Sequence, residues 1–299
     1  MNLIPTTCAI CGTFDNEQEV FPANLTEEDF SVEVFSARRL PDRVHYRMAS
    51  CKSCGLLRSD PVLDAASLES LYRQSTFDYG EEVEALKVTY GRAIEGLERI
   101  APAKGGILDI GTGNGFVLEQ ALAQGWQDVR GVEPSGDAIA KAAPGIGERI
   151  VEDMMRPGLF EPESFDGVTL FQVLDHIPAP VPLLEECRRV LRRGAGVLAF
   201  NHNVEAVSAR LLKDRSPIVD IEHTYLYSPD TMRKLFERAG FKDISVEPVK
   251  NTYSPAYLLQ LVPIPRDLKA KVMPRARRSP LAKFRVTVPL GNLCLTARA

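Results

Sequence analysis

The sequence predicts an α/β fold, a doubly wound and mainly parallel sheet behind a small N-terminal metal-binding module. Three observations point there. From Gly105 onward, short apolar runs alternate with helical stretches, the order that builds βαβ units. A glycine-rich turn follows the first of those runs, and two Cys-x-x-Cys pairs stand in the first 60 residues. The bulk numbers agree. A chain of 299 residues, 44% hydrophobic and 25% charged, is an ordinary globular one, able to bury a sizeable core and to form one domain of about 200 residues plus a small module. A net charge of −4 excludes an overall bias toward nucleic acid or membrane. Residues Met1 to Pro5 have neither the basic patch nor the apolar run of a signal peptide. No apolar stretch approaches the roughly 18 residues of a membrane span, so a cytoplasmic location is expected.

In chain order, residues 1–60 are expected to form the cysteine module, 61–104 a helical linker or cap, and 105–299 the sheet domain. The linker reads as two helices, at 65–74 and 81–100, the second with a loose apolar face at Val83, Leu86, Val88, Ile94, Leu97 and Ile100. Strands are expected at 107–110, 129–132, 149–152, 165–171 and 197–200, and two more at 244–247 and 292–297. Helices are expected at 116–124, 136–143 and 183–191, the last closed by Arg192-Arg193-Gly194, cations and a glycine suited to a helix C-terminus. A further helix starts at Ser228-Pro229-Asp230, runs to Ala239 and is stopped by Gly240. In such a sheet the ligand crevice lies beyond the carboxyl ends of the strands.

The turn reads Ile107-Leu108-Asp109-Ile110-Gly111-Thr112-Gly113-Asn114-Gly115. Glycines there let the backbone approach a ligand closely. Dinucleotide sites use a similar turn, but the spacing here is G-x-G-x-G, and Asp109 precedes the first glycine by two residues. A carboxylate at that point repels a pyrophosphate. It suits a ligand carrying positive charge, such as the ammonium of S-adenosylmethionine. Glu133, at the end of the second strand, is placed to accept from two ribose hydroxyls, and Asp153, after the third, from an adenine amino group.

Residues 105–245 resemble the class I S-adenosylmethionine-dependent methyltransferases. The pattern stands here as Leu108-Asp109-Ile110-Gly111-x-Gly113-x-Gly115, Gly131-Val132-Glu133-Pro134-Ser135, Phe165-Asp166, and Arg188-x-Val190-Leu191-x-x-Gly194-x-Gly196. The resemblance implies a Rossmann-like sheet whose last strand is antiparallel. It also implies cofactor contacts at Asp109, Gly111, Gly113, Glu133 and Asp153, with Gly115 completing the turn and Gln172 close to the cofactor. Where the family often has Glu-His, this chain has Asp175-His176.

Cys8-Ala-Ile-Cys11-Gly12 and Cys51-Lys-Ser-Cys54-Gly55 are knuckles of matching form. Four thiolates so arranged suit a closed, tetrahedral Zn2+ site, a zinc ribbon whose metal folds the module. An iron centre or free thiols are the alternatives. The intervening segment is longer than in most ribbons and must form strands or a loop of its own. Cys187 and Cys294 read as buried free thiols.

An oxygen or carbon acceptor needs a general base. His223 and His202 rank ahead of His176 for that part, since all three fall at or near the carboxyl edge of the sheet. Each also has a plainer role in turns or packing, as does Tyr225. Between the last two strands, residues 250–290 form an insertion. Tyr253–Val262 is apolar, and Arg266–Arg285 holds eight basic residues and one acid, Asp267. It reads either as a solvated cover or as a lid for an anionic acceptor, and 253–285 permits shallow contact with a membrane surface. The expected function is methylation of a small-molecule acceptor such as a nucleotide-sugar, glycan or lipid-linked intermediate. An RNA methyltransferase and a non-catalytic zinc-ribbon adaptor are the rivals, and an oxidoreductase is disfavoured by Asp109.

Overall fold

The computed structural model describes residues 2–31, 34–35, 44–75, 83–253, 255, 259, 271–276, 279, 284 and 286–299. The N-terminal part contains strands β1 (Leu3–Ile4), β2 (Glu17–Phe21), β3 (Met48–Cys51), β4 (Leu57–Ser59) and β5 (Val62–Leu63). Helices α1 (Ala65–Gln74) and α2 (Val83–Ile100) follow. Then come β6 (Gly106–Ile110), α3 (Phe116–Ala123), β7 (Asp128–Glu133), α4 (Gly136–Ala140), β8 (Ile150–Glu152) and β9 (Phe165–Phe171). The chain continues through α5 (Pro180–Val190), β10 (Leu191–His202), α6 (Val207–Leu212), β11 (Tyr225–Leu226) and α7 (Pro229–Arg238). It closes with β12 (Lys242–Tyr253) and β13 (Val286–Arg298).

The main sheet has seven strands in the order β12-β13-β10-β9-β6-β7-β8. Neighbours from β10 to β8 pair in parallel, whereas β13 runs antiparallel to both β10 and β12. The expected antiparallel last strand is therefore present. The chain steps outward from β6 through β7 to β8, then returns to place β9 on the other side of β6. That reversal opens a crevice at the carboxyl ends of β6 and β9.

Residues of β6 and β9 are all buried, as central parallel strands covered on both faces require. Period-two alternation sorts β10 between the two faces. Val197 and Ala199 pack with Leu184, Cys187 and Val190 of α5 and with Met232, Leu235 and Phe236 of α7. Leu198 and Phe200 pack with Tyr90, Ile94 and Leu97 of α2 and with Phe116 of α3. Tyr90 stacks on Phe171, ring centroids 4.1 Å apart. These two layers fix the sheet against which the crevice is built.

Local signals set several boundaries. Asp64 caps α1 by accepting from the Ser67 amide at 3.0 Å, and Ser228 and Thr231 form a reciprocal capping box on α7. The helix expected at 183–191 begins earlier, at Pro180, because proline is tolerated in the first turn. It ends at Val190. Arg192-Arg193-Gly194, expected to close that helix, instead lies within β10, where a register shift separates Leu191 from Gly196. β12 and β13 run 12 and 13 residues, far longer than the segments expected at 244–247 and 292–297, because they pair with each other out to Tyr253 and Val286.

The cysteine segment forms a four-stranded antiparallel sheet in the order β11-β4-β3-β2. β2 and β3 lie in the long stretch between the knuckles. The fourth strand, β11, comes from the far side of the sheet domain. The segment is docked further by Cys8, Cys51 and Leu56, which join the core under α5 and α7, and by Arg238 of α7, which donates to the Ile10 carbonyl. β1 pairs with β5, with Leu3 opposite Leu63. Most of the apolar and basic insertion between β12 and β13, including most of 266–285, lies outside the described residues. Among the described residues, no helix is long and apolar enough to cross a membrane.

Candidate active site

β6 delivers Asp109 to the crevice, and the chain turns at once through Gly111, Gly113 and Gly115, all at positive φ. Side chains rarely adopt that backbone, and at Gly111 space forbids one as well, since a Cβ would meet Val173 Cγ2 at 2.7 Å. The turn is tied to the next strand by the Gly111 and Thr112 amides, which donate to the Val132 carbonyl. Glu133 then accepts from the Gly113 amide at 2.8 Å and from the Ser135 amide at 2.9 Å. Its carboxylate is thereby held at the end of β7 against the glycine turn, while burial raises its pKa. Asp109 is 1% exposed. Burial pushes it up to about 7, opposed by Thr169, whose hydroxyl donates to it at 2.6 Å.

Gln172 follows β9 at a φ of 58°, its amide donating to the Phe200 carbonyl at 2.7 Å. Its Oε1 and the Oδ1 of Asn114 are buried without a hydrogen-bond partner. Such groups are costly unless something fills their valence, so the edge of the glycine turn fits a polar ligand. Asp153 sits at the rim. It accepts from the Met154 amide at 2.8 Å and pairs with Arg73 of α1 at 3.2 Å and with Arg156 at 2.9 Å.

Next to this edge the structure brings together three of the four histidines. Asp175, just beyond β9, is 0% exposed. Its Oδ1 accepts from Asn201 Nδ2 at 2.9 Å. His176 Nε2 lies 3.8 Å from Oδ1, and His202 Nε2, at the end of β10, lies 3.9 Å from Oδ2. The His223 ring is 4.8 Å from that of His176 and 5.0 Å from that of His202. Burial alone would raise Asp175, but His176, His223 and His202 outweigh it and hold the carboxyl below the usual range. The fourth, His45, lies apart in the cysteine segment, its Nδ1 bonded to the Tyr46 carbonyl. Tyr225 is a packed aromatic, donating to the Thr7 carbonyl at 3.0 Å.

Asp175, Asn201, Asn292 and Tyr72 carry this cluster and were not singled out as site residues from the sequence. Their partners come from β9, β10, β13 and α1, so no local spacing joins them. The adjacency of Asp175 to His176 is the one local trace.

The four knuckle cysteines converge as expected. Cys8 Sγ lies 3.4 Å from Cys54 Sγ, and Cys51 Sγ lies 3.9 Å from Cys11 Sγ. Four thiolates around one zinc stand about 3.8 Å apart when Zn–S is about 2.3 Å. The Gly12 and Gly55 amides close matching turns onto the Cys8 and Cys51 carbonyls. Burial works against ionisation of Cys51, but the Cys54 and Ser53 amides bring it down to about 7.

Comparison with known proteins decides the family: residues 84–246 match the methyltransferase domain. The chain belongs to that family. It is a class I S-adenosylmethionine-dependent methyltransferase. Among its relatives, the ubiquinone biosynthesis O-methyltransferase of Cupriavidus pinatubonensis is 27% identical over 200 residues, covering 62% of this chain and 77% of that one. An uncharacterized methyltransferase of Geobacillus thermodenitrificans is 28% identical over 191 residues, covering 57% and 87%. A SAM-dependent methyltransferase structure from Archaeoglobus fulgidus superposes with a TM-score of 0.51 at 17% identity, over 79% of this methyltransferase and 100% of that chain. That likeness concerns the fold.

Proposed function

We propose that this methyltransferase moves the methyl group of S-adenosylmethionine onto a hydroxyl of a small acceptor held at the Asp175, His176, His202 and His223 edge. The observation that carries the proposal is the convergence of three imidazoles on one buried carboxylate beside the glycine turn. An acceptor hydroxyl must lose its proton as its oxygen attacks, and imidazoles are groups that can take it near neutral pH. Likeness to enzymes named as O-methyltransferases supports an oxygen acceptor.

In this reading Asp109 faces the ammonium of the donor, Glu133 takes its ribose hydroxyls, and the amides of Gly111, Gly113 and Gly115 border it. Asn114 and Gln172 supply the polar atoms that burial leaves without partners. Asp153, at the rim, borders the adenine. The bound donor supplies an electrophilic methyl carbon on a sulfonium: the acceptor lone pair forms the new bond, and the C–S pair returns to sulfur, leaving S-adenosylhomocysteine. The protein's part is alignment and removal of the acceptor proton. Cys8, Cys11, Cys51 and Cys54 hold a zinc that folds the N-terminal sheet, with no open position for chemistry.

Calorimetric titration with S-adenosylhomocysteine, with NADH as control, tests the donor. Turnover with a panel of hydroxylated small molecules, with and without phosphate, tests the acceptor. Saturable binding of the first ligand alone, with turnover abolished in His223→Ala, is the expected result. Activity on RNA with a steep fall at rising salt would transfer the acceptor to nucleic acid. A folded chain without affinity for S-adenosylhomocysteine would leave an adaptor.

A further inference from the structure

Among the described residues, Asp175 Oδ2 is a buried atom whose surroundings call for a missing partner. It is a carboxylate oxygen on a side chain that is 0% exposed, and it has no hydrogen bond. Its sister oxygen is satisfied by Asn201. Leaving such an oxygen unmatched in a dry interior costs more than most single contacts can return.

The groups around it do not supply the match directly. At 3.8 and 3.9 Å the Nε2 atoms of His176 and His202 stand beyond hydrogen-bond reach of Asp175. These separations fit groups gathered about a common third body. Asp175, His176 and His223 each offer a ligand atom within 4.8 Å of the others.

The far side of each ring is anchored. His223 Nδ1 meets the Ile218 carbonyl at 2.8 Å. A carbonyl only accepts, so this nitrogen carries the proton and Nε2 keeps the lone pair. His202 Nδ1 meets Asn292 Oδ1 at 3.1 Å, and His176 Nδ1 meets the Tyr72 hydroxyl at 3.1 Å. Outer hydrogen bonds of this kind orient imidazoles that ligate a metal through the other nitrogen.

We propose that Asp175, His176 and His223, with His202 beside them, form a second metal site, distinct from the cysteine quartet, in which the first three bind a divalent first-row ion of the zinc or iron kind. Two imidazoles and one carboxylate favour such an ion over magnesium or calcium, which take oxygen ligands. The site differs from the cysteine quartet in having an open side. The His176 side chain is 21% exposed, so the group is not sealed from solvent as a structural site would be.

The ligand on that open side is the acceptor hydroxyl oxygen, which makes this inference dependent on the acceptor edge proposed above. An ion held by Asp175, His176 and His223 would lower the pKa of a coordinated hydroxyl, and His202, 3.9 Å from Asp175, would take its proton. The resulting oxyanion then attacks the methyl carbon, and the C–S bond breaks with its electron pair going to sulfur. His176 and His223 would thereby act as ligands, and His202 as the base.

The test counts ions on the full chain after metal-supplemented expression, by elemental analysis and by cobalt(II) substitution. About two ions per chain are expected, one thiolate-ligated and one bound by nitrogen and oxygen. His176→Ala and His223→Ala should each lose the second ion while keeping the thiolate-to-cobalt charge-transfer band and unchanged affinity for S-adenosylhomocysteine. A wild-type protein holding only the thiolate-bound ion overturns the second site and returns the imidazoles to service as bases, with the methyl-transfer proposal intact. Two ions that survive both substitutions overturn it too. Should an alanine variant fail to fold, the wild-type count and its cobalt bands decide alone.

Discussion

Asp109 has an ordinary residue type in an unusual setting, at the end of a buried strand beside the crevice. With its pKa pushed up to about 7 by burial, the free protein holds it largely neutral below that value. The stability this neutral form contributes is fully present below pH about 4 and is lost as pH rises through about 7. A donor bearing positive charge binds the anion instead. Affinity for S-adenosylhomocysteine should therefore tighten as pH climbs from 6 to 8, by at most about tenfold per unit. Calorimetry across that range reads it directly, and Asp109→Asn should flatten the profile. A flat profile in the wild type would remove Asp109 from contact with the ligand charge. Glu133 makes a second case. Removing its carboxylate in Glu133→Ala should weaken the same affinity by about 1–3 kcal/mol through lost charged hydrogen bonds. Both residues were legible in the sequence because a strand end and a glycine turn fix them locally. Asp175 was not, because its meaning comes from His202 and His223, which lie far along the chain and meet it only when β9, β10 and the segment before β11 come together.

At the scale of elements, α7 shows how a local signal holds a long-range contact. Its cap is set by Ser228 and Thr231, and its apolar face, Met232, Leu235 and Phe236, packs beneath the cysteine segment. Ser228→Ala should cost about 1 kcal/mol in chemical denaturation. A change below a few tenths would mean the packed face alone holds the helix. The central strands and every helix but α6 were readable from their apolar runs and periods, whereas α6 has six residues and no side-chain cap to announce it. The outer hairpin was not readable to its full length. β12 and β13 extend through residues whose pairing depends on each other rather than on their own composition. β11 escaped altogether, since two residues carry no period.

For the whole molecule, the architecture expected from alternating strands and helices is the one present, with its last strand reversed. What the sequence did not disclose is that the two sheets share a segment. β11 pairs with β4, and Ser59 donates to the His223 carbonyl at 2.7 Å. A fragment ending at residue 104 lacks this partner and leaves β4 with an open edge beside the buried Arg58. With zinc supplied, such a fragment should self-associate on gel filtration. A well-behaved monomer would show that β4 tolerates exposure. The same pairing bears on birth as well as on architecture. A ribosome releases β2, β3 and β4 well before β11, so their sheet stays one strand short until β11 has emerged. Strands made before the sheet domain are thus completed only by a segment that comes after most of it.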